Sequence, residues 1–150
     1  MSDFFKFEAD FVDSLRCIPM QVRLKLDNTG VKLKLSHWYQ FTEQERQTLV
    51  EMPCTSGEEC QQYREFLQNL IIDKTGTAAS ELPVEENPAW MNEKQIPEIV
   101  QTASADKSVN ITVEQWEKLT PLQRFALIKL SRASHENQNF YPAIQEFGLV

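Results

Sequence analysis

The sequence is short of several features that define common functional classes. Only four glycines occur among the 150 residues, and no glycine-rich segment is present that would cradle a phosphate. Three cysteines at irregular spacing give no disulfide framework and are typical of a reducing compartment. The longest apolar runs, such as Leu70-Ile71-Ile72, are far too short to span a bilayer, and the N-terminus does not resemble a signal peptide. We therefore expect a soluble, cytoplasmic protein without a membrane span.

Basic charge is also scarce in the chain as a whole. The formal net charge is −7, whereas a nucleic-acid binder needs a basic face for the phosphate backbone. We therefore expect no nucleic-acid partner. Hydrophobic residues make up 41% of the sequence. A chain of this length buries about 68–70% of its unfolded surface, so a folded core is expected.

Motifs for catalysis or metal binding are not evident. The two histidines, His37 and His135, lie in no motif. Cys54 and Cys60 are separated by five residues, whereas zinc ligands normally have two to four residues between them. Cys17 follows an arginine, which favours a thiolate, but no histidine or carboxylate partner is recognisable beside it. We expect a protein that is not an enzyme and has no metal or cofactor of its own.

An internal repeat is the main feature that the sequence does contain. A gapless offset of 78 residues aligns residues 18–72 with residues 96–150, and 11 of 55 positions are identical. Ordinary residue frequencies would give roughly three or four identities by chance. Residues that both copies share usually serve a common core. We assign six matched residues to that core: Trp38, Trp116, Leu49, Leu127, Tyr63 and Tyr141.

Helix signals recur in both copies. Thr42, Ser56 and Thr120 each begin a capping box, with Glu or Gln three residues later. Pro142 lies inside the segment of the second copy that aligns with the last helix of the first. Because proline interrupts helical hydrogen bonding, we expect it to kink that helix or delay its start.

Residues 22–35 permit two interpretations. Apolar and basic residues alternate on both sides of an Asp-Asn-Thr-Gly sequence, which is typical of a β-hairpin and would make the fold α+β. However, Ile18, Val22 and Leu26 follow a helical spacing, and the aligned residues of the second copy do not alternate. We favour a helix over residues 19–28.

The repeat and the helix signals together predict a mainly α protein. Residues 73–95, between the copies, contain a glycine and two prolines and are typical of a linker. Short extended segments are expected at residues 31–35 and 109–113. The prediction is a single compact domain, residues 1–150, built from two tandem helical repeats.

Charge distinguishes the first copy from the second. Residues 16–34 carry a net charge of +4, whereas the aligned residues 94–112 are neutral. A basic segment on one copy predicts an anionic target, either a phosphate-bearing ligand or an acidic protein surface. The alternative is the solvated face of an amphipathic element. The candidate binding residues are Arg16, Arg23, Lys25, Lys32 and Lys34.

A family resemblance rests on the same region. The residues that carry it are Glu8 to Met20, Val22-Arg23, Lys25-Leu26-Asp27, Gly30-Val31-Lys32-Leu33 and Trp38. They resemble the small nitrate reductase-associated proteins of the cyanobacterial type, and the similarity covers most of the chain. The resemblance implies a role beside assimilatory nitrate reductase, an enzyme with a molybdenum pterin cofactor and an iron–sulfur cluster. It implies no catalytic residues.

From this resemblance we expect a non-catalytic, protein-binding accessory factor. It would support assembly, cofactor loading or activity of assimilatory nitrate reductase. Its partners would be the catalytic subunit of that enzyme, with the molybdenum cofactor or its synthesis proteins as further candidates. The alternative is a regulatory module that senses a small anion or a nucleotide.

Overall fold

The computed structural model describes residues 5–8, 18–132 and 135–150. Within these residues it contains eight α-helices and no β-sheet, which confirms the mainly α fold class. The chain divides into two compact units: residues 8–85 form the first, and residues 5–7 with 86–150 form the second. None of the described helices is both long enough and apolar enough to cross a membrane.

The described part of the first unit holds four α-helices. They are α1 (Met20–Thr29), α2 (Leu35–Gln40), α3 (Glu43–Glu51) and α4 (Gly57–Thr75). The capping boxes predicted for α3 and α4 are present, since the hydroxyls of Thr42 and Ser56 accept the backbone N–H groups of Glu45 and Glu59.

The β-hairpin alternative for residues 22–35 is wrong, and the helix over residues 19–28 is confirmed. The Asp-Asn-Thr-Gly sequence ends α1 instead of turning between strands. Gly30 adopts a φ of +80°, and its N–H donates to the Leu26 carbonyl at 2.8 Å, which is a left-handed helix cap. Within the described residues, β pairing is limited to one isolated bridge between Val31 and Glu81.

The second unit also has four α-helices among its described residues. They are α5 (Glu98–Asp106), α6 (Val113–Lys118), α7 (Pro121–Leu130) and α8 (Phe140–Glu146). The helices α5, α6 and α7 begin 78 residues after α1, α2 and α3, the offset of the sequence repeat. A 3-10 turn, His135–Asn139, precedes α8, so helix formation is delayed and Pro142 falls in its first turn. The duplication itself stays a prediction.

Most of the matched aromatic and leucine residues lie in the two cores. Trp38, Leu49 and Tyr63 are fully buried in the first unit, and Trp116 and Leu127 are fully buried in the second. Tyr141, the sixth residue assigned to the core, is only half-buried. In the second unit Phe140, one position earlier, is fully buried instead.

The segment between the copies is partly folded. The helix α4 runs two residues beyond Asp73, and the following chain returns to the end of α1. There the N–H of Lys32 donates to the Ser80 carbonyl at 2.8 Å, and the N–H of Leu82 donates to the Gly30 carbonyl at 2.7 Å. The approach is so close that a Cβ at Gly30 would collide with the carbonyl oxygen of Leu82. This contact requires glycine at position 30.

Candidate partner-binding face

Lys25 does not belong to an open basic surface. Its Nζ donates to the Val50 carbonyl at 2.6 Å and lies 3.5 Å from the Leu49 carbonyl, both in the last turn of α3. The ammonium also lies over the Tyr63 ring, 5.7 Å from its centroid. Burial lowers the pKa of Lys25. Because the last carbonyls of a helix have no helical partners, a cation there stabilises the helix end, and Lys25 has a structural role.

The other four candidate binding residues fall into three groups. Arg16 lies outside the described residues, as does Cys17. Arg23 lies on α1 and is half-buried, whereas Lys32 and Lys34 are exposed. The exposed part of the described basic run is therefore Lys32 and Lys34, on the short segment between α1 and α2.

Two large apolar side chains follow these lysines on α2. Leu35 is 45% exposed and Tyr39 is 55% exposed. Residues four apart lie on the same side of a helix, so the two side chains share one solvent-facing surface. Neighbouring exposed apolar residues are typical of a binding surface, whereas single ones need no explanation. We call Lys32, Lys34, Leu35 and Tyr39 the α2 face.

The opposite side of α2 is fixed to the first unit. Trp38 is fully buried, and Arg46 of α3 donates from Nε to the Trp38 carbonyl at 3.0 Å. The same guanidinium donates from Nη2 to the Tyr39 carbonyl at 3.2 Å. At the start of the helix, the Lys34 N–H donates to His37 Nδ1 at 3.1 Å. Both ends of α2 are thus hydrogen-bonded, so the α2 face is presented on a fixed element.

In the second unit, the equivalent helix α6 is held by an arginine in the same way. Arg124, which aligns with Arg46, donates from Nη1 to the Trp116 carbonyl at 3.3 Å and to the Leu119 carbonyl at 2.6 Å. Its Nε donates to the Trp90 carbonyl at 2.8 Å. The carbonyl of the matched tryptophan therefore has the same arginine partner in both units.

The surface of the equivalent helix differs. Val113 occupies the place of Leu35 and is 41% exposed. Glu117 takes the place of Tyr39, and its carboxylate is paired with Lys94 at 2.9 Å. The places of the two lysines are taken by Asn110 and Thr112. The α2 face is therefore a property of the first unit alone.

Sequence reasoning found the lysines of this face but not its apolar half. The missed signal was in the repeat alignment, where the tyrosine at position 39 aligns with a glutamate. A large apolar residue that only one copy has is not explained by the shared core. Sequence reasoning also set aside Cys54 and Cys60, whose sulfur atoms lie 2.9 Å apart in the structure.

A cavity of about 630 Å³ lies in the second unit. Its lining includes Glu98, Asp106, Lys107 and Phe140. Two carboxylates beside one lysine do not favour an anion. In the part of the chain that the structure describes, no three metal-ligating side chains come together.

Comparison with known proteins places these residues in a family. A family model described as conserved nitrate reductase-associated protein matches residues 4–147, nearly the whole chain. This match confirms the family resemblance, which covers most of the chain. No curated protein matches the chain. No solved structure matches it either.

Proposed function

Because this chain belongs to the conserved nitrate reductase-associated protein family, we propose that it is a non-catalytic accessory protein that binds nitrate reductase. The protein supports assembly, cofactor loading or activity of that enzyme. One observation carries the proposal: the α2 face combines exposed apolar and basic side chains in the first unit, and the second unit does not repeat it.

The chemistry of the α2 face suits a protein partner. Tyrosine is enriched in interface cores because its ring gives a large apolar contact and its hydroxyl still forms a hydrogen bond. Leu35 extends the apolar area beside Tyr39, and the two exposed lysines precede these residues in the chain. Rim charges accelerate association with a surface of opposite sign. A surface that fits this face would be an apolar depression with acidic residues around it.

The catalytic subunit of the reductase is the partner that this face fits best. The molybdenum cofactor and its synthesis proteins are the other candidates. A pterin dinucleotide would require several cations to converge on its phosphates. Lys25 is committed to the carbonyls of α3, and the two remaining lysines adjoin apolar side chains. This arrangement supports a contact with protein.

We include no catalysis and no resident cofactor in the proposal. His37 uses Nδ1 to accept the N–H of Lys34, so one ring nitrogen serves the helix start instead of a substrate. The phenol of Tyr63 is buried and donates to the Leu49 carbonyl at 2.8 Å. These two groups have structural roles, which supports an accessory function.

A matched pair of variants tests the α2 face. Leu35→Asp places a charge in the proposed apolar contact and should weaken binding to purified nitrate reductase about tenfold or more. Val113→Asp makes the same change at the aligned first residue of α6, which has a similar exposure, and should leave binding unchanged. Isothermal titration calorimetry measures both. Equal binding by the two variants would refute the proposed face.

A cellular experiment separates the three forms of support. Nitrate reductase protein, its bound molybdenum and its activity are measured separately in cells that lack this protein. Low reductase protein indicates assembly, low molybdenum per reductase indicates cofactor loading, and low activity with normal molybdenum indicates support of activity. Normal values of all three would refute the accessory function.

The sensing alternative predicts a different result. A ligand at a hundredfold excess over Kd raises the free energy of unfolding by about 2.7 kcal/mol. A gain of that size with phosphate or a nucleotide alone would favour the sensing module. We expect no such gain, because Lys25 is committed to the carbonyls of α3 and Lys32 and Lys34 are exposed.

A further inference from the structure

Two cysteines of the first unit meet at the junction of α3 and α4. The Sγ atoms of Cys54 and Cys60 lie 2.9 Å apart, and both are free thiols. Cys54 lies in the loop after α3 and is only 4% exposed, whereas Cys60, in the first turns of α4, is half-buried. The pair therefore has one enclosed sulfur and one sulfur within reach of solvent.

We propose that Cys54 and Cys60 form a redox-active dithiol that closes to an intramolecular disulfide by exchange with a disulfide-bearing oxidant. A disulfide requires an S–S distance of about 2.05 Å, so the two sulfurs need to approach by less than about 1 Å. The cysteines are close in sequence, so closing the loop costs little chain entropy. This site is independent of the α2 face.

The loop that joins the two cysteines is held in place at both ends. The Glu59 carboxylate accepts the Thr55 N–H at 3.0 Å and the Ser56 N–H at 3.2 Å. On the other side, Asn28 Nδ2 donates to the Cys54 carbonyl at 3.4 Å. These contacts fix the backbone around the pair, so the approach of the sulfurs requires side-chain movement more than a change of fold.

The two sulfurs have different roles in the exchange. Cys60 is the more accessible and attacks the oxidant. Burial, and then the hydrogen bond with Cys60, raises the pKa of the Cys54 thiol to about 12, so Cys54 keeps its proton while the first step occurs. Cys54 then resolves the mixed disulfide that forms beside it.

With glutathione disulfide or a thioredoxin-class protein disulfide as the oxidant, the exchange has two steps. The Cys60 thiolate attacks one sulfur of the oxidant, a mixed disulfide forms, and the first thiolate leaves. Cys54 loses its proton to water, its sulfur attacks Cys60 Sγ, and the second thiolate leaves. The protein loses two electrons and two protons, and the oxidant is reduced to two thiols.

The experiment uses the full chain with Cys17→Ser, which leaves only the proposed pair. The folded protein is treated with glutathione disulfide, quenched in acid, alkylated and cleaved after glutamate. Cleavage after Glu51, Glu59 and Glu65 places the two cysteines on separate peptides. We expect one linked pair of peptides, the loss of two thiols and a mass lower by two hydrogens. If both cysteines are recovered in alkylated form, they stayed reduced in the presence of the oxidant, and this result would overturn the proposal.

Single variants test the roles of the sulfurs. The Cys54→Ser protein should accumulate a mixed disulfide of glutathione at Cys60, and the Cys60→Ser protein should keep Cys54 as a thiol. Equal glutathione addition to both variants would overturn the assignment of Cys60 as the attacking sulfur. Far-ultraviolet circular dichroism checks that each single variant is folded. The Cys17→Ser experiment tests disulfide formation even if a single variant does not fold.

A second arm identifies the source of the oxidant. Oxidised thioredoxin replaces glutathione disulfide in the same assay. Disulfide formation with glutathione disulfide alone identifies a small-molecule oxidant, and formation with thioredoxin alone identifies a protein oxidant. Formation with both supports exchange with either. Closure by neither would overturn the proposal.

Discussion

Lys25 shows how one side chain can stabilise a helix to which it does not belong. The ammonium on α1 contacts the last carbonyls of α3 across a separation of 25 residues in sequence. Hydrogen bonds to a charged group contribute about 1.5–3 kcal/mol, and burial of the ammonium offsets part of that gain. The net effect is a link between α1 and α3 that neutral side chains would not make.

Replacement of Lys25 should therefore destabilise the first unit. Lys25→Met keeps the aliphatic stem and removes the cation, and we expect a loss of about 1–2 kcal/mol in the free energy of unfolding. Lys32→Met is the control, because Lys32 is exposed, and it should change that free energy by less than about 0.5 kcal/mol. Urea denaturation measures both. Similar small effects would contradict the structural role of Lys25.

His37 gives the stability a pH dependence of known sign. Burial, and then the positive charge of Lys34, lowers the pKa of His37 below its ordinary value of 6.5. As pH falls through 6.5, the unfolded chain takes up the proton before the folded protein does, so the folded state loses stability. Above that pH both states are neutral and the contribution is complete.

Nuclear magnetic resonance titration of the His37 ring should give a midpoint below 6.5. A His37→Gln variant should lose less stability than the parent protein when the pH is lowered from 7 to the measured midpoint. A midpoint at or above 6.5 would contradict the burial of His37 beside the positive charge of Lys34.

At the scale of elements, two glycines end helices in the same backbone conformation but in different surroundings. Gly30 ends α1 with a φ of +80°, and Gly76 ends α4 with a φ of +82°. The space beyond Gly30 is filled by the Leu82 carbonyl, whereas nothing lies within 4 Å of the Cβ position at Gly76. Alanine substitutions at these two glycines therefore separate the free-energy cost of the left-handed backbone conformation from the cost of a steric collision.

Gly76→Ala should lower the free energy of unfolding by about 1–2 kcal/mol, the cost of a left-handed conformation for a residue with a Cβ. Gly30→Ala should lower it further, because the chain at residues 80–82 has to move away as well. Urea denaturation compares the two variants. Equal losses would show that the chain after α4 does not approach Gly30 in solution.

The elements differ in how far the sequence determines them. The helices α3, α4 and α7 were predictable because their start signals are local: Thr42, Ser56 and Thr120 each accept a backbone N–H three residues later. The alternation in residues 22–35 was ambiguous because it satisfies both a strand and a helix. In the folded protein Val22 is fully buried in a core that includes Tyr63 and Leu67 of α4, which is a contact distant in sequence.

The same distinction applies to the candidate site. The lysines of the α2 face were predictable from charge, but the commitment of Lys25 to α3 was not, since it depends on tertiary structure. The approach of Cys54 and Cys60 has the same origin, because a loop and a helix start have to fold before the sulfurs meet.

At the scale of the whole molecule, a net charge of −7 repels an acidic partner. Association with such a partner therefore depends on local positive charge. Exchanging Lys32 and Lys34 together for glutamate should slow association with nitrate reductase several-fold at low salt and should change dissociation less. The difference should shrink as salt is raised, because ions screen exposed charges. Surface plasmon resonance measures both rates.

The control is Lys118→Glu, on the exposed end of α6 in the second unit. It should have a smaller effect on association than the double exchange, although it also makes the chain more acidic. An equal reduction per charge at the two places would mean that overall charge, and not the α2 face, governs the encounter.

The burial of the three tryptophans has a spectroscopic consequence. Trp38 is the indole of the first unit, and Trp90 and Trp116 are those of the second; all three are shielded from water. The tryptophan fluorescence of the folded protein should therefore have its maximum at a shorter wavelength than that of the unfolded chain. It should also resist quenching by acrylamide. In a Trp38→Phe protein, tryptophan fluorescence reports on the second unit alone. Comparing its fluorescence unfolding curve with the circular dichroism curve of the whole chain shows whether the two units unfold in one cooperative transition or in two.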